Sequence, residues 1–152
     1  MDRRIRVSLL GLLVFASAAY AQTPATKNPL IGAWRVTELD NPNQPPIANP
    51  PPSLYVFSEG YYNFTRITGT LPGYPSNDKA TEAEKAAVFD SLFVNGGSYT
   101  LTGNTLKTKV LVAKSKFVME GTGALYEFTV SGNTLVLTQK PSGAVLKLVR
   151  LD

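Results

Sequence analysis

Cysteine and histidine are both absent from the 152 residues. Without them, Ser-His and Cys-His nucleophile systems lose their central groups, and the usual zinc sites lose their preferred ligands. No disulfide can brace the fold, so its stability has to come from a hydrophobic core. No cysteine near the N-terminus can carry a lipid anchor. Charged residues make up only 17% of the chain and form no basic run beyond the first six residues, which leaves nucleic-acid binding without support. Neither GxGxxG nor GxxxxGK opens a helix, so a phosphate cradle has no basis in the sequence. No cofactor and no metal is expected.

Long apolar runs are equally scarce. The one candidate, Val7 to Ala18, follows the basic stretch Met1-Asp-Arg-Arg-Ile-Arg6 and precedes Ala19-Tyr20-Ala21. That order of charged, apolar and small-x-small segments reads as a secretory signal, with cleavage expected after Ala21 and a periplasmic or secreted product. The run is shorter than the roughly 20 residues a membrane helix needs, so no stable membrane insertion is expected. Arg3, Arg4 and Arg6 against Asp2 supply half of the net charge of +4, so the apparent basicity is largely a targeting signal. Residues 22–28 read as a polar tether. Residues 29–152, in a chain with 43% hydrophobic residues, are enough for one domain with a true core.

Period-two patterning dominates that domain. In the first run Gly32, Trp34, Val36 and Glu38 share one face, taken as inward. The stretch Asn41 to Ser53 holds six of the eleven prolines and reads as a stiff extended loop, either a plain connection, the frame of a pocket mouth or a proline-rich ligand for a partner. Leu54 to Ser58 and Tyr61 to Gly69 form a hairpin through Glu59-Gly60, with Tyr62, Phe64, Arg66 and Thr68 inward. Asn63-Phe64-Thr65 matches a glycosylation sequon, read as coincidental inside a strand. Thr81 with Glu84 forms a capping box for a helix expected to run to about Phe93, its stripe of Val88, Phe89, Leu92 and Phe93 covering the core.

From Gly96 onward, strands alternate with glycine- and asparagine-bearing turns. Leu106, Thr108, Val110 and Val112 share a face, as do Tyr126, Phe128 and Val130, then Leu135 and Leu137, then Ala144, Leu146, Leu148 and Arg150. Eight strands in neighbouring order predict an all-β fold, an antiparallel up-and-down barrel with one short helix at about residues 82–93. Eight is the number at which such a barrel closes around side chains or one small ligand.

Gly32-x-Trp34 in the first strand and Arg150 in the last resemble the lipocalin and fatty-acid-binding-protein superfamily, in which a tryptophan from strand one packs beneath a basic side chain from the final strand. A wider resemblance, over about residues 29–151, is to the bacterial lipocalin-like domain family. It rests on Leu30-Ile-Gly-Ala-Trp-Arg35, Tyr55-Val-Phe-Ser-Glu-Gly60, the helix from Thr81, and Gly97-Ser-Tyr-Thr-Leu-Thr-Gly-Asn-Thr-Leu106. The resemblance implies a barrel with a ligand cavity as its working part and names no activity.

The residues themselves leave three functions open. The leading one is non-catalytic binding of a small hydrophobic or amphipathic molecule, with Arg66, Tyr62, Tyr126 and Tyr99 as a polar patch and Phe64, Val110, Val112 and Phe128 around an apolar tail. The alternative for the polar patch is that the tyrosines fill a small barrel and Arg66 lies at its rim. An isomerase or cyclase would use a carboxylate in the lumen. Glu38 is the weak candidate base, and its alternative is a strand-end side chain reaching solvent. The third function is an interaction module displaying the Pro-rich loop. Gly32, Trp34 and Arg150 are read as structural, closing the barrel. Oligomeric state is left open.

Overall fold

The computed structural model describes residues 27–71, 73, 74, 76 and 78–151. The expected leader, its cleavage point and most of the tether lie outside the described residues. Nine strands form one antiparallel sheet: β1 (Gly32–Asp40), β2 (Ile47–Ala48), β3 (Ser53–Phe57), β4 (Tyr61–Ile67), β5 (Leu92–Thr102), β6 (Thr105–Ala113), β7 (Leu125–Ser131), β8 (Thr134–Lys140) and β9 (Val145–Leu151). Each of the eight longer strands pairs with its neighbour in the chain, and β1 closes on β9 from Ala33–Leu151 to Asp40–Val145. The eight-stranded up-and-down barrel expected from the turn spacing is thus the observed architecture. The two-residue β2 adds to the end of β1 from within the Pro-rich loop.

One end of the barrel is filled. Leu30, Trp34, Leu106, Leu135, Leu137 and Leu148 are fully buried there, with Phe57 beside them. Directly opposed residues of antiparallel strands share a face, so the pairs Trp34–Tyr55, Leu106–Tyr126, Phe128–Leu137 and Leu135–Leu148 carry this core around the sheet. Aromatic pairs join it: Phe57 meets Tyr99 edge-on at 5.6 Å within the filled end, and Tyr55 stacks on Phe64 with centroids 4.2 Å apart toward the other end.

Two β-bulges overturn two face assignments. Between Val36 and Glu38 the register against β9 shifts, so Val36 opposes Leu148 while Glu38 opposes Lys147 and Leu39 opposes Leu146. Thr37 is the extra residue; its hydroxyl donates to the Lys147 carbonyl, and its own carbonyl accepts from Asn49 of the returning Pro-rich loop. A slip of one residue exchanges the faces, so Leu39 packs against the core and Glu38 points outward. The second bulge lies where Gly96 opposes Val112 but Gly97 opposes Val110. A Cβ on Gly97 would collide with the Lys109 carbonyl and the Leu111 amide, so only glycine lets β5 and β6 approach this closely. Past the bulge, Val112 faces outward and is 59% exposed.

The helix also departs from expectation. α1 (Glu82–Asp90) has the Thr81–Glu84 capping box but stops at Ser91, and none of its residues is buried. The expected stripe does not cover the core: Phe89 lies in solvent, with the Lys114 ammonium 4.7 Å from its ring centroid. Leu92 and Phe93 are extended because Ile67 and Arg66 of β4 pair with them. That pairing satisfies backbone groups which a last helical turn would leave open. A second helix, α2 (Lys116–Met119), was not anticipated; Ser115 caps it.

Candidate functional site: the open half of the barrel

The β6–β7 ladder holds three pairs, from Thr105–Glu127 to Lys107–Leu125, and then ends. Thr108 makes the last stitch. Its backbone N–H and its hydroxyl both donate to the Ala124 carbonyl, and the same hydroxyl accepts from the Ala124 N–H at 2.9 Å. Beyond this point the segment Lys114–Ala124, including α2, lies across the free edge of β6. Beneath it is an open-mouthed cavity of about 530 Å³.

Phe64, Phe93, Val110 and Tyr126 give the cavity an apolar wall, Asn95, Thr108 and Gln139 supply neutral polar groups, and Phe117 to Ala124 form its mouth. Two neighbouring strands supply a further feature. The Tyr62 hydroxyl and Arg66 Nε on β4, and Asn95 Oδ1 on β5, are buried without a hydrogen-bond partner among the described residues. All three point to the barrel interior, because Tyr62 opposes Gly97, Phe64 opposes Asn95, and Arg66 opposes Phe93. Arg66 places its guanidinium 5.0 Å from the Phe93 ring centroid.

The phenols of this half are kept protonated. Burial raises the pKa of Tyr126 strongly, and the nearby Tyr55 and Tyr62 phenols push it further, while Arg66 partly offsets them. Burial likewise raises Tyr55 against the opposing pull of Arg66. Tyr62 is raised by burial, and the Thr108 hydroxyl lies close enough to counter part of that without making a well-formed hydrogen bond. These groups therefore offer O–H donors and a fixed cation to a bound molecule, and no base.

Of the anticipated pocket residues, Phe64, Val110 and Tyr126 line the cavity. Tyr62 and Arg66 face the interior beside it, with Arg66 also flanking a smaller hollow under Pro50 and Pro51. Phe128 belongs to the filled core, and Val112 is on the outer surface. Tyr99 is committed elsewhere: its hydroxyl donates to the Ser58 carbonyl and accepts from Asn28 Nδ2, each at 2.6 Å, tying the filled end together. Glu38 pairs with Lys147 at 2.6 Å on the outside of the barrel, so the lumen holds no Glu38 carboxylate to act as a base. Among the described residues no three acidic side chains gather into a metal-holding group.

The sequence reading missed Phe93, Asn95, Gln139 and the mouth segment. Carrying the parity of Tyr99 back through Gly97 reaches Asn95 and Phe93, but the expected helix covers Phe93 and the strands are read only from Gly96 onward. The mouth has no periodic signal.

At the filled end, the Arg150 guanidinium lies 4.0 Å from the Trp34 ring centroid and donates to the carbonyls of Ile31 and Pro29. The Trp34 indole N–H donates to the Leu30 carbonyl at 2.8 Å. Gly32 has φ of 132°, and a Cβ there would occupy the space of Arg150 Nη1. These contacts seal one end of the barrel and leave the other as its open end.

No protein-family model and no curated protein matches the sequence. Among solved structures, the chain is similar to a lipocalin-like protein from Bacteroides uniformis, with 12% identity, a TM-score of 0.52, and coverage of 82% of this chain and 100% of that one. It is similar also to a protein from Bacteroides eggerthii, with 10% identity, a TM-score of 0.52, and coverage of 80% and 99%. At such identities the likeness concerns architecture, and with the strand order, the sealed end and the open cavity it establishes that this chain has the lipocalin-like barrel fold.

Proposed function

We propose that the protein binds a small hydrophobic or amphipathic molecule in the open half of its barrel and does not transform it. The observation that carries this reading is the cavity of about 530 Å³, within the usual range for small-molecule sites, walled by aromatic and aliphatic side chains with a few convergent polar groups. The apolar part of the ligand lies against Phe64, Phe93, Val110 and Tyr126. Its polar end meets Asn95 and Tyr62, with Arg66 as the anchor for a negative charge. A catalytic role has lost its candidate, since Glu38 faces solvent. The leader at residues 1–21 carries the protein to the periplasm or beyond, with the mature chain beginning at Gln22.

Native mass spectrometry of the protein purified from its own source tests the binding reading. A co-purifying small molecule, released on denaturation, is the expected result. An unliganded protein that also fails to bind anionic and neutral apolar fluorescent probes would overturn it. N-terminal sequencing of the extracytoplasmic protein tests export; an intact Met1 on a cytosolic protein would refute it.

A further inference from the structure

The segment that forms the cavity mouth is unusual on its outer side. Phe117, in the four-residue helix α2, is 86% exposed, the largest exposure among the large hydrophobic side chains of the described residues. Val118 and Met119 beside it are also exposed, as are Leu111 and Val112 on the adjoining stretch of β6, the latter turned outward by the Gly97 bulge. Isolated exposed apolar side chains are ordinary, but a contiguous group on one edge marks a docking surface.

Charge decides what docks. Lys107, Lys109, Lys114 and Lys116 lie within ten residues of the same segment, all exposed, and Glu120 is the one acidic residue between Lys107 and Thr122. Lys107 and Lys109 flank the outer crevices against Gly121 and Thr122. Lys116 is the lysine paired with Glu120, at 3.4 Å across an exposed contact. After the leader the chain carries 12 basic and 10 acidic residues, so removing this segment leaves the rest slightly acidic. The basic excess of the mature chain is therefore concentrated in the segment that carries the exposed aromatic and aliphatic side chains, although Lys114 also donates to the Phe89 carbonyl. A projecting phenylalanine on a lysine-rich segment suits an interface that is apolar below a negatively charged skin.

We infer that the mouth segment Lys107–Thr122 docks on an anionic lipid bilayer, with Phe117 entering the interfacial region and the lysines held at the headgroups. The contact is peripheral: no helix of the described residues is long and apolar enough to cross a membrane. Because Phe117 and Val118 also border the cavity, docking would place the mouth against the bilayer. The inference goes beyond the binding reading and does not depend on it, since vesicle binding is measured without any cavity ligand.

The test is co-sedimentation of the full mature chain with vesicles of pure phosphatidylcholine or of phosphatidylcholine with one third phosphatidylglycerol, at low and high salt. Each lysine near an anionic surface strengthens partitioning about fivefold. The wild-type protein is therefore expected to bind the anionic vesicles at least about thirtyfold more tightly than the neutral ones, with the difference shrinking in high salt. Phe117→Ser is expected to weaken binding to the anionic vesicles, and the double variant Lys109→Gln/Lys116→Gln to reduce the preference between vesicles. Leu151→Ser, an exposed apolar position at the filled end, is expected to leave binding intact. Circular dichroism on each variant establishes that the barrel is folded. Equal binding to both vesicles, no binding to either, or binding untouched by Phe117→Ser would each overturn the inference. Concentration-dependent self-association abolished by Phe117→Ser, without vesicle binding, would overturn it in favour of a second copy of the chain.

Discussion

The Arg150 guanidinium lies over the Trp34 indole, 4.0 Å from its ring centroid, joining the last strand of the barrel to the first, and Gly32 is the residue that leaves it room. A cation over a buried aromatic face is favourable, but the larger part of the stabilisation at this end is the burial of the indole itself. Trp34→Ala is expected to cost about 3 to 5 kcal/mol in a urea melt, as for other large buried aromatics. Gly32→Ala is expected to destabilise as well, through both the positive φ and the displaced guanidinium. A Trp34→Ala shift under about 1 kcal/mol would show that the end is not closed as described.

Tyr99 separates structural tyrosines from those of the cavity. Its hydroxyl ties Ser58 to Asn28 at the filled end, so Tyr99→Phe is expected to lower stability by about 1 to 3 kcal/mol, with both partners left short of a hydrogen bond. Affinity for an apolar probe should not change. A drop in affinity without a drop in stability would move Tyr99 into the binding site.

The cavity can be blocked from its wall. Val110 faces inward opposite Gly97, and Val110→Trp is expected to fill the space beside Phe64 and weaken an apolar fluorescent probe by about tenfold or more. The overpacking itself should cost no more than about 1 to 3 kcal/mol. Val112→Trp, on the outer surface, serves as the matched control and should bind as the wild type does.

Under the proposed function, Arg66 is expected to distinguish ligands by charge. Loss of a charge-assisted hydrogen bond corresponds to about 1.5 to 3 kcal/mol, so Arg66→Met is expected to weaken a fatty-acid-like probe roughly tenfold or more while leaving a neutral apolar probe nearly unchanged. Fluorescence titration of both probes against both proteins measures this. Equal losses would indicate a packing defect beside Phe93.

Stability should fall at alkaline pH for a specific reason. Tyr126 and Tyr55 titrate above their ordinary value of 10.0 in the folded protein, mainly because burial disfavours the phenolate. The unfolded chain therefore loses these protons first. The stabilisation is complete below pH 10 and is lost as pH rises through the folded-state values. Thermal melts at pH 8 and about pH 11 should show the decline, and Tyr126→Phe should make it shallower. An unchanged slope would mean that Tyr126 is accessible to solvent in the folded state.

Local chemistry in the sequence determined the strand repeat, the glycine turns that connect sequential neighbours, the capping box at Thr81 and the pairing of Trp34 with Arg150 across the closure. Each depends on residues close in the chain or on a barrel whose first and last strands must meet. Alternation also brought Phe64, Val110 and Tyr126 to the cavity wall. Only the tertiary structure decided the orientation of Glu38 and Val112, because each lies beyond a bulge whose position is set by the strand across from it. At Thr37 the returning Pro-rich loop takes up the extra residue's carbonyl, and at Gly97 the close approach of β6 forces the slip. Leu92 and Phe93 likewise continue a helical stripe until β4 offers their backbone groups partners. The cavity mouth was set at the same level, since the β6–β7 ladder ends where Thr108 meets Ala124. A period-two pattern carries each side chain's parity only until an extra residue is inserted, and what stabilises that insertion is a neighbour distant in the chain.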